Sequence, residues 1–176
     1  MNSGMRFCLR CDGPCRGCKP KSQSSDTVTR TLALLERGNL SPPFSRVASW
    51  LFVGDLRSLF TPPPEVTHIV SLLDFTVELQ LKVPRLVVNL DDADMPESAA
   101  AMVAAVVQID TWFAKGAVLL VHCVEGRSRS AAVAIGLLMR REKLEFGGAF
   151  SIVKEARSRI APRQCFLEAL SNEPWK

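Results

Sequence analysis

The sequence predicts an α/β fold in which a small, mostly parallel central sheet is flanked by helices. Residues 117–121 are a short apolar run, which is typical of a strand buried on both faces. Residues 131–139 are also apolar, but they begin with small side chains and lead into Arg140 and Arg141, which is typical of a helix. A strand, a tight loop and a helix therefore follow one another here. In open α/β sheets, a functional site lies at the carboxyl ends of the strands.

The composition is that of one globular domain. The chain has 176 residues, of which 47% are hydrophobic and 23% are charged, so it is long enough to bury a core. The sequence has no bilayer-length apolar run, signal-peptide pattern or N-myristoylation pattern, and we expect an intracellular protein, cytoplasmic or also nuclear, without a transmembrane segment. The net charge of +4 favours anionic partners only mildly, and we expect no nucleic-acid partner.

The amino terminus contains four of the six cysteines, at Cys8, Cys11, Cys15 and Cys18. Two C-x2-C pairs are a candidate tetrahedral zinc site, although the spacer between the pairs is much shorter than usual. The alternative is a flexible tail whose thiols have no structural role or carry lipid. A disulfide framework is not expected, because the rest of the chain has only Cys123 and Cys165.

A linker, a short helix and a first strand are predicted next. Residues 19–25 are polar and serine-rich, and Asp26 is a candidate N-cap of a helix that ends near Gly38. Pro42 and Pro43 close this segment, so we divide the chain into an amino-terminal segment, 1–44, and a compact domain, 45–176. Residues 50–54 are a predicted strand, and the three prolines at 62–64 exclude a helix after it.

The other predicted elements are two strands, at 67–73 and 85–90, and helices at 95–115, 146–157 and 164–171. The helix at 95–115 has an apolar stripe of helical period and ends before Gly116. Asp94 is a candidate N-cap of this helix, with Glu97 three residues later. His68 lies at the start of its strand, where a structural role is expected.

The chemistry of the sequence is concentrated in the loop at residues 122–130. Consecutive N–H groups in a tight loop, next to the amino terminus of a helix, favour a phosphate dianion. Gly126 allows the positive φ that such a loop needs, and the planar fork of Arg129 can bind two phosphate oxygens. Cys123 lies at the floor of the loop, where its thiolate can attack a bound phosphorus atom. The alternative, a buried core cysteine in an ordinary connection, does not explain why these residue types occur together.

This loop resembles a known family. The nonapeptide His122-Cys123-Val124-Glu125-Gly126-Arg127-Ser128-Arg129-Ser130 resembles the HC-x5-R-[ST] loop of cysteine-dependent protein tyrosine phosphatases. The longer form, H-C-x-x-G-x-S-R-S, is similar to the dual-specificity branch, and the resemblance extends over residues 47–170. It implies a protein-tyrosine-phosphatase-like fold, phosphorylated proteins as substrates, and a reaction that needs no cofactor or metal.

The resemblance also implies a role for individual residues. Cys123 is expected to be the nucleophile, Arg129 and the loop amides to hold the phosphate, and Ser130 to hydrogen-bond the departing thiolate. His122 is expected to support the loop. Glu125 either accepts hydrogen bonds from Arg129 and locks its rotamer or is a plain surface charge.

A phosphatase of this kind needs a general acid to protonate the leaving oxygen. Asp91, Asp92 and Asp94 follow the predicted strand at 85–90. Asp94 has a structural explanation as a helix cap. The family's hydrophobic-x-hydrophobic-x-Asp pattern matches residues 88–92 with Asp92 at its end, so we predict Asp92 as the acid.

The sequence departs from the family at Arg163, where asparagine is usual in a Pro-Asn-x-x-Phe segment. Arginine cannot accept a hydrogen bond, which puts the support network of the site in doubt but not its chemistry. The arginines at 127, 157, 159 and 163 either rim the pocket and favour acidic substrates or are solvated side chains.

Two other functions are considered. The lipid- and RNA-phosphate branches share the Cys-x5-Arg loop but lack the Ser-Arg-Ser ending, so a phosphoinositide or an RNA 5′-triphosphate ranks second. The third is a module that binds phosphate without turnover. Intact Cys123, Arg129 and Ser130, with an available aspartate, argue against it.

Overall fold

The structure, a computed structural model, describes residues 6–8, 13–14, 25–38, 41–75, 77, 79–113 and 116–172. Its strands are β1 (Arg6–Cys8), β2 (Gly13–Pro14), β3 (Phe44–Ala48), β4 (Leu51–Gly54), β5 (His68–Leu72), β6 (Arg85–Val88) and β7 (Leu119–His122). Its helices are α1 (Ser25–Gly38), α2 (Pro96–Trp112), α3 (Arg129–Arg141), α4 (Phe146–Ala156) and α5 (Gln164–Asn172), with a short 3₁₀ helix at Leu56–Leu59.

The described strands form one sheet, in the order β2-β1-β6-β5-β7-β4-β3. β6, β5, β7 and β4 are parallel, whereas β3 is antiparallel to β4. β4, β5 and β7 are buried along almost their whole length, because helices cover both faces of a parallel sheet. The predicted fold class, with a mostly parallel sheet and flanking helices, is confirmed.

Helices α2 to α5 cover one face of the sheet. α3 lies at the centre of this layer, in contact with β4, β7 and the three other helices, so its residues 129–139 are all buried. Gly136 allows α2 to pack closely, since a Cβ at this position would lie 2.8 Å from a methyl carbon of Val106. The tight packing of α3 fixes its amino terminus, and therefore also the loop that precedes it.

The opposite face is covered by α1, the 3₁₀ helix and the segment that follows β5. A second apolar core forms there around Phe52, Leu56, Ile69 and Leu120, and Leu35 of α1 packs into it. The two cores together hold the central strands rigidly between two layers of side chains.

Some sequence-based boundaries are wrong. α1 begins at Ser25, so Asp26 lies inside the helix and is not its N-cap. The N-cap of α2 is Met95, which makes no side-chain cap hydrogen bond, so Asp94 does not cap this helix. β3 was not predicted, because an edge strand that is half-buried along its length lacks the continuous apolar run of a central strand.

The amino-terminal segment contributes two short strands that the sequence did not predict. β1 pairs in parallel with β6 and antiparallel with β2. The zinc prediction for Cys8, Cys11, Cys15 and Cys18 concerns side chains that lie outside the described residues. Among the residues that the structure describes, no group of three or more His, Cys, Asp or Glu side chains is arranged to hold a metal ion. None of the helices in the described ranges is both long and apolar enough to cross a membrane.

Candidate active site

Polar groups from four parallel strands meet at one edge of the sheet. Asp55 follows β4, Asp74 follows β5, Asp92 follows β6 and Cys123 follows β7. Since these strands are parallel, their carboxyl ends lie at the same edge, where the amino terminus of α3 also begins. This is the edge at which the sequence predicts a functional site.

Cys123 lies at the floor of the loop between β7 and α3. Its sulfur is 3.3 Å from the Gly126 N–H, which donates to it, and 3.3 Å from the Ser130 hydroxyl. The Ser130 hydroxyl also donates to the Gly54 carbonyl oxygen, at 3.4 Å. The side chain of Cys123 is only 2% exposed. These contacts fix the sulfur in a buried position at the floor of the loop.

Gly126 has the predicted positive φ, at 68°. A Cβ at this position would lie 2.6 Å from Nη2 of Arg157 and 2.7 Å from the Gly54 carbonyl oxygen. Both the backbone conformation and the close packing therefore require glycine.

Arg129 opens α3 and is almost completely buried, at 6% exposed. Its Nη1 donates to the Leu90 carbonyl at 3.2 Å and is 3.7 Å from Asp74. Its Nε lies 3.9 Å from an Asp92 oxygen and has no hydrogen-bond partner among the described residues. A buried donor without a partner is unfavourable unless an anion can satisfy it.

Glu125 does not lock Arg129. Its carboxylate pairs at 3.5 Å with Arg127, and both side chains are about half exposed. The carboxylates that contact Arg129 are Asp74 and Asp92. Asp74 is a residue that the sequence did not single out.

Asp92 is half-buried and held from two sides. The Ser128 hydroxyl donates to its carboxylate at 2.6 Å, and Arg163 Nε donates to its main-chain carbonyl at 3.0 Å. The Arg163 N–H in turn donates to the Ser128 hydroxyl at 3.3 Å. Arg163 therefore supports the loop that carries Asp92, as a hydrogen-bond donor. The presence of arginine instead of asparagine had put this support in doubt. Asp91 is exposed.

Asp94 caps a different helix from the one predicted. Its carboxylate accepts the Cys165 N–H at 2.8 Å, in the first turn of α5. This bond, together with contact to the Cys165 side chain, holds the pKa of Asp94 below its usual value. The interaction ties the segment before α2 to α5, instead of starting α2.

A buried ionic cluster lies directly under the loop, centred on Asp55. The Asp55 side chain is inaccessible to solvent and accepts hydrogen bonds from Arg57 at 2.8 Å and from Arg157 at 3.4 Å. Arg157 also donates to the carbonyls of Gly126, at 2.8 Å, and Pro42, at 3.1 Å, and burial lowers its pKa. The interpretation of Arg157 as a rim residue is therefore wrong, since it is 3% exposed.

The other arginines lie nearer the surface. Arg159 is partly buried and donates to the Glu125 carbonyl, while Arg57 donates to the Ser41 carbonyl at 2.9 Å. Arg127 and Arg163 are about half exposed at the mouth of the site. These positions give the mouth of the site a positive surface.

His122 lies behind Cys123 and is completely buried. Its Nδ1 is 3.3 Å from the Cys123 carbonyl oxygen, and its Nε2 is 2.5 Å from the Ser71 hydroxyl. Burial, reinforced by the positive charge of Arg85, lowers the pKa of His122 from 6.5 to about 3, so the imidazole is neutral. His68, by contrast, lies away from the site, where its ring contacts Phe113.

Four residues of the site escaped sequence reasoning: Ser71, Asp74, Asp55 and Arg85. Two of them, Asp55 and Asp74, come directly after a buried strand, as Cys123 does. That position was a usable signal, because parallel strands end together. Ser71 and Arg85 lie within strands and carried no such signal.

Comparisons with known proteins agree with this geometry. The family model "Dual specificity phosphatase, catalytic domain" matches residues 57–173. Dual specificity phosphatase 28 of Homo sapiens is 35% identical over 142 residues, which cover 73% of this chain and 76% of that protein. Dual specificity protein phosphatase 19 of Mus musculus is 52% identical over 56 residues, 32% of this chain, and the match spans 26% of the mouse protein. The crystal structure of human DUSP28 superposes with a TM-score of 0.66 and 31% identity, and the match covers 74% of this chain and 92% of that one.

Proposed function

Because the chain belongs to the dual specificity phosphatase family, we propose that it removes phosphate from phosphotyrosine and from phosphoserine or phosphothreonine in proteins. The observation that carries this proposal is the Cys123 sulfur, which accepts the Gly126 N–H at 3.3 Å in the loop that opens α3. A cysteine sulfur at the floor of such a loop supports nucleophilic attack on a bound phosphate.

In the first step, the Cys123 thiolate attacks phosphorus while Asp92 protonates the leaving oxygen of the substrate. The loop amides and the guanidinium of Arg129 stabilise the charge on the other phosphate oxygens. The buried Nε of Arg129, which has no hydrogen-bond partner among the described residues, supports this role. The product of this step is a cysteinyl phosphate and the dephosphorylated side chain.

In the second step, water attacks the cysteinyl phosphate and Asp92 takes up its proton. The sulfur leaves as a thiolate, which the Ser130 hydroxyl, at 3.3 Å, can stabilise by a hydrogen bond. Inorganic phosphate is released and the enzyme returns to its starting state. Both steps use side chains and loop amides of this chain, with water as the second nucleophile.

The position of Asp92 supports its role as the general acid. Its carboxylate is 3.9 Å from Arg129 and accepts the hydroxyl of Ser128, whereas Asp91 is exposed to solvent. Ser128 and Arg163 hold Asp92 at the mouth of the pocket, where a leaving oxygen would lie.

Turnover of an aryl phosphate tests the nucleophile. Cys123→Ser is expected to abolish turnover, because a serine hydroxyl is not ionised at neutral pH. The loop donors remain, so vanadate binding is expected to persist in this variant. Near-wild-type turnover by Cys123→Ser would refute the mechanism. A panel of phosphopeptides and phosphoinositides then tests the substrate class. Faster turnover of the phosphoinositides would mean that the substrate is a lipid phosphate and not a phosphoprotein.

A matched pair of variants tests the acid. Asp92→Asn keeps an oxygen for the Ser128 hydroxyl but cannot supply a proton, and we expect a rate loss of about 10²–10⁴ on phosphates with poor leaving groups. The loss is expected to be smaller for an aryl phosphate whose leaving group needs no proton. Asp91→Asn serves as the control. If Asp91→Asn shows the leaving-group-dependent loss and Asp92→Asn does not, the assignment belongs to Asp91.

A further inference from the structure

A row of buried and partly buried polar groups crosses the sheet behind the nucleophile. Arg85 on β6, Ser71 on β5 and His122 on β7 come from three adjacent strands. Arg85 Nε donates to the Ser71 hydroxyl at 2.7 Å, and this hydroxyl is 2.5 Å from His122 Nε2. His122 Nδ1 is in turn 3.3 Å from the Cys123 carbonyl oxygen. Ser71 and His122 are inaccessible to solvent.

The proton positions along this row follow from its two ends. A carbonyl oxygen can only accept, so the contact of His122 with Cys123 is a hydrogen bond only if Nδ1 carries the proton. A neutral imidazole has a single N–H, which leaves Nε2 as an acceptor. At the other end, Arg85 can only donate, so the Ser71 hydroxyl accepts from it and gives its own proton to His122. All the donors therefore point towards Cys123.

We propose that Ser71 and Arg85 are positioning residues, which hold His122 in the Nδ1–H tautomer, in which Nδ1 donates to the Cys123 carbonyl. This inference rests on the function proposed above, because it concerns the nucleophile of that reaction. The negative end of a carbonyl dipole near a sulfur disfavours the thiolate, and a hydrogen bond to that carbonyl reduces this effect. With the other tautomer, a lone pair of Nδ1 would face the carbonyl and repel it.

The burial of Arg85 supports this role. Its Nη1 donates to the Val77 carbonyl at 2.7 Å, while its Nη2 is buried without a hydrogen-bond partner in the described ranges. Burial lowers the pKa of Arg85 to about 10, so it remains charged at neutral pH. A buried cation beside His122 opposes protonation of the imidazole, which would destroy the acceptor that Ser71 needs.

Other charged groups surround the loop from every element that packs against it. They are Asp55 after β4, Asp74 after β5, Asp92 after β6, Arg129 on α3, and Arg157 and Arg159 after α4. Ser71→Ala changes none of these charges. A change in thiolate reactivity in this variant would therefore come from the hydrogen-bonded row.

The tautomer can be observed directly by ¹⁵N NMR of the imidazole nitrogens in the unmodified protein. The chain has two histidines, so the spectrum of His68→Gln identifies the signals of His122. We expect His122 to carry its proton on Nδ1 in the wild type and to lose this preference in Ser71→Ala. A wild-type spectrum with the proton on Nε2 would overturn the proposal, and this measurement requires no variant of the row to fold.

The consequence for the nucleophile is measured by alkylation of Cys123 with iodoacetamide at pH 6, without substrate. We expect Ser71→Ala to react about tenfold more slowly, the effect of losing one hydrogen bond, and Arg85→Met to change in the same direction. Ser71→Thr keeps the hydroxyl and is expected to restore the rate. Thr67→Ala is the matched control, since Thr67 bonds the ring of His68 at the far end of the same strand, at 2.9 Å. An unchanged rate in folded Ser71→Ala would overturn the proposal.

The two proposals can fail separately. If the wild type turns over aryl phosphates but Ser71→Ala keeps its alkylation rate, the positioning role is wrong and the function stands. If the wild type shows no turnover but the alkylation rate depends on Ser71, the proposed function is wrong and the row still positions a reactive cysteine.

Discussion

Mild acid is expected to destabilise this fold through one side chain, His122. It is completely buried, and burial together with the charges of Arg85 and Arg129 lowers its pKa from 6.5 to about 3. In the unfolded chain, the same imidazole has its ordinary pKa and takes up a proton as the pH falls. The unfolded state then binds more protons than the folded state, so the free energy of unfolding decreases as the pH falls from about 6.5 towards 3.

The size of this effect follows from the two pKa values. Between pH 7 and pH 5, the proton taken up by the unfolded imidazole lowers the free energy of unfolding by about 2 kcal/mol. Asp94 and Asp110 contribute little in this window. Burial opposes ionisation of Asp110, but its hydrogen bonds to Arg140 and Arg141 hold its pKa below 3.8, and hydrogen bonds from Cys165 lower the pKa of Asp94. Stability linked to these two carboxylates is lost only at more acidic pH, so the effect of His122 is measured between pH 7 and pH 5.

Urea unfolding at closely spaced pH values measures this slope. We expect His122→Gln to lower the stability at neutral pH but to remove most of the pH dependence above pH 5, since glutamine does not titrate. His68→Gln, which removes the other histidine of the chain, is the matched control. A wild-type free energy of unfolding that is equal at pH 7 and pH 5 would refute the reasoning, as would a His122→Gln variant that retains the full slope.

Substitutions at three further positions probe the loop and its supports. Gly126→Ala adds a Cβ to a crowded position with positive φ. We expect a loss of about 1–3 kcal/mol in the free energy of unfolding and a large fall in kcat/KM. Normal kinetics would show that the loop adapts to the added Cβ. Arg157→Met leaves Asp55 buried with fewer partners, and we expect a loss of about 3 kcal/mol in urea unfolding; a loss below about 1 kcal/mol would mean that the remaining arginines compensate. Asp94→Ala removes the cap of α5 and is expected to lower Tm, whereas Asp94→Asn is expected to preserve it; equal Tm values for the two variants would refute the capping role.

The central strands and α3 were predictable because their apolar composition matches their almost complete burial. β7 is an uninterrupted apolar run, and α3 begins with small residues that pack against both sheet and helices. Such elements have one environment along their whole length, so composition alone identifies them. The positive φ of Gly126 was predictable for a different reason. A loop that turns sharply around an anion has few possible backbone conformations.

The supports of the site were less predictable because they join residues far apart in the chain. Asp94 has the local pattern of a cap for α2, yet its carboxylate is taken by the Cys165 N–H of α5. Arg157 has the sequence context of a surface arginine, and only the folded chain shows that Asp55 and two carbonyls surround it. Local patterns cannot resolve a competition between a nearby and a distant partner.

The hydrogen bonds to Ser41 and Pro42 affect where this protein can be shortened. Arg57 and Arg157 both donate hydrogen bonds to Asp55 under the loop. Arg57 also donates to the Ser41 carbonyl, and Arg157 to the Pro42 carbonyl. The Pro43 carbonyl accepts the Asp55 N–H at 2.8 Å. A recombinant fragment that starts at residue 45 would lack all three acceptors and would leave the guanidinium groups of the partly buried Arg57 and the buried Arg157 with fewer hydrogen bonds. Expression fragments for crystallisation or screening should therefore retain at least residue 41, even though the family model begins its match at residue 57.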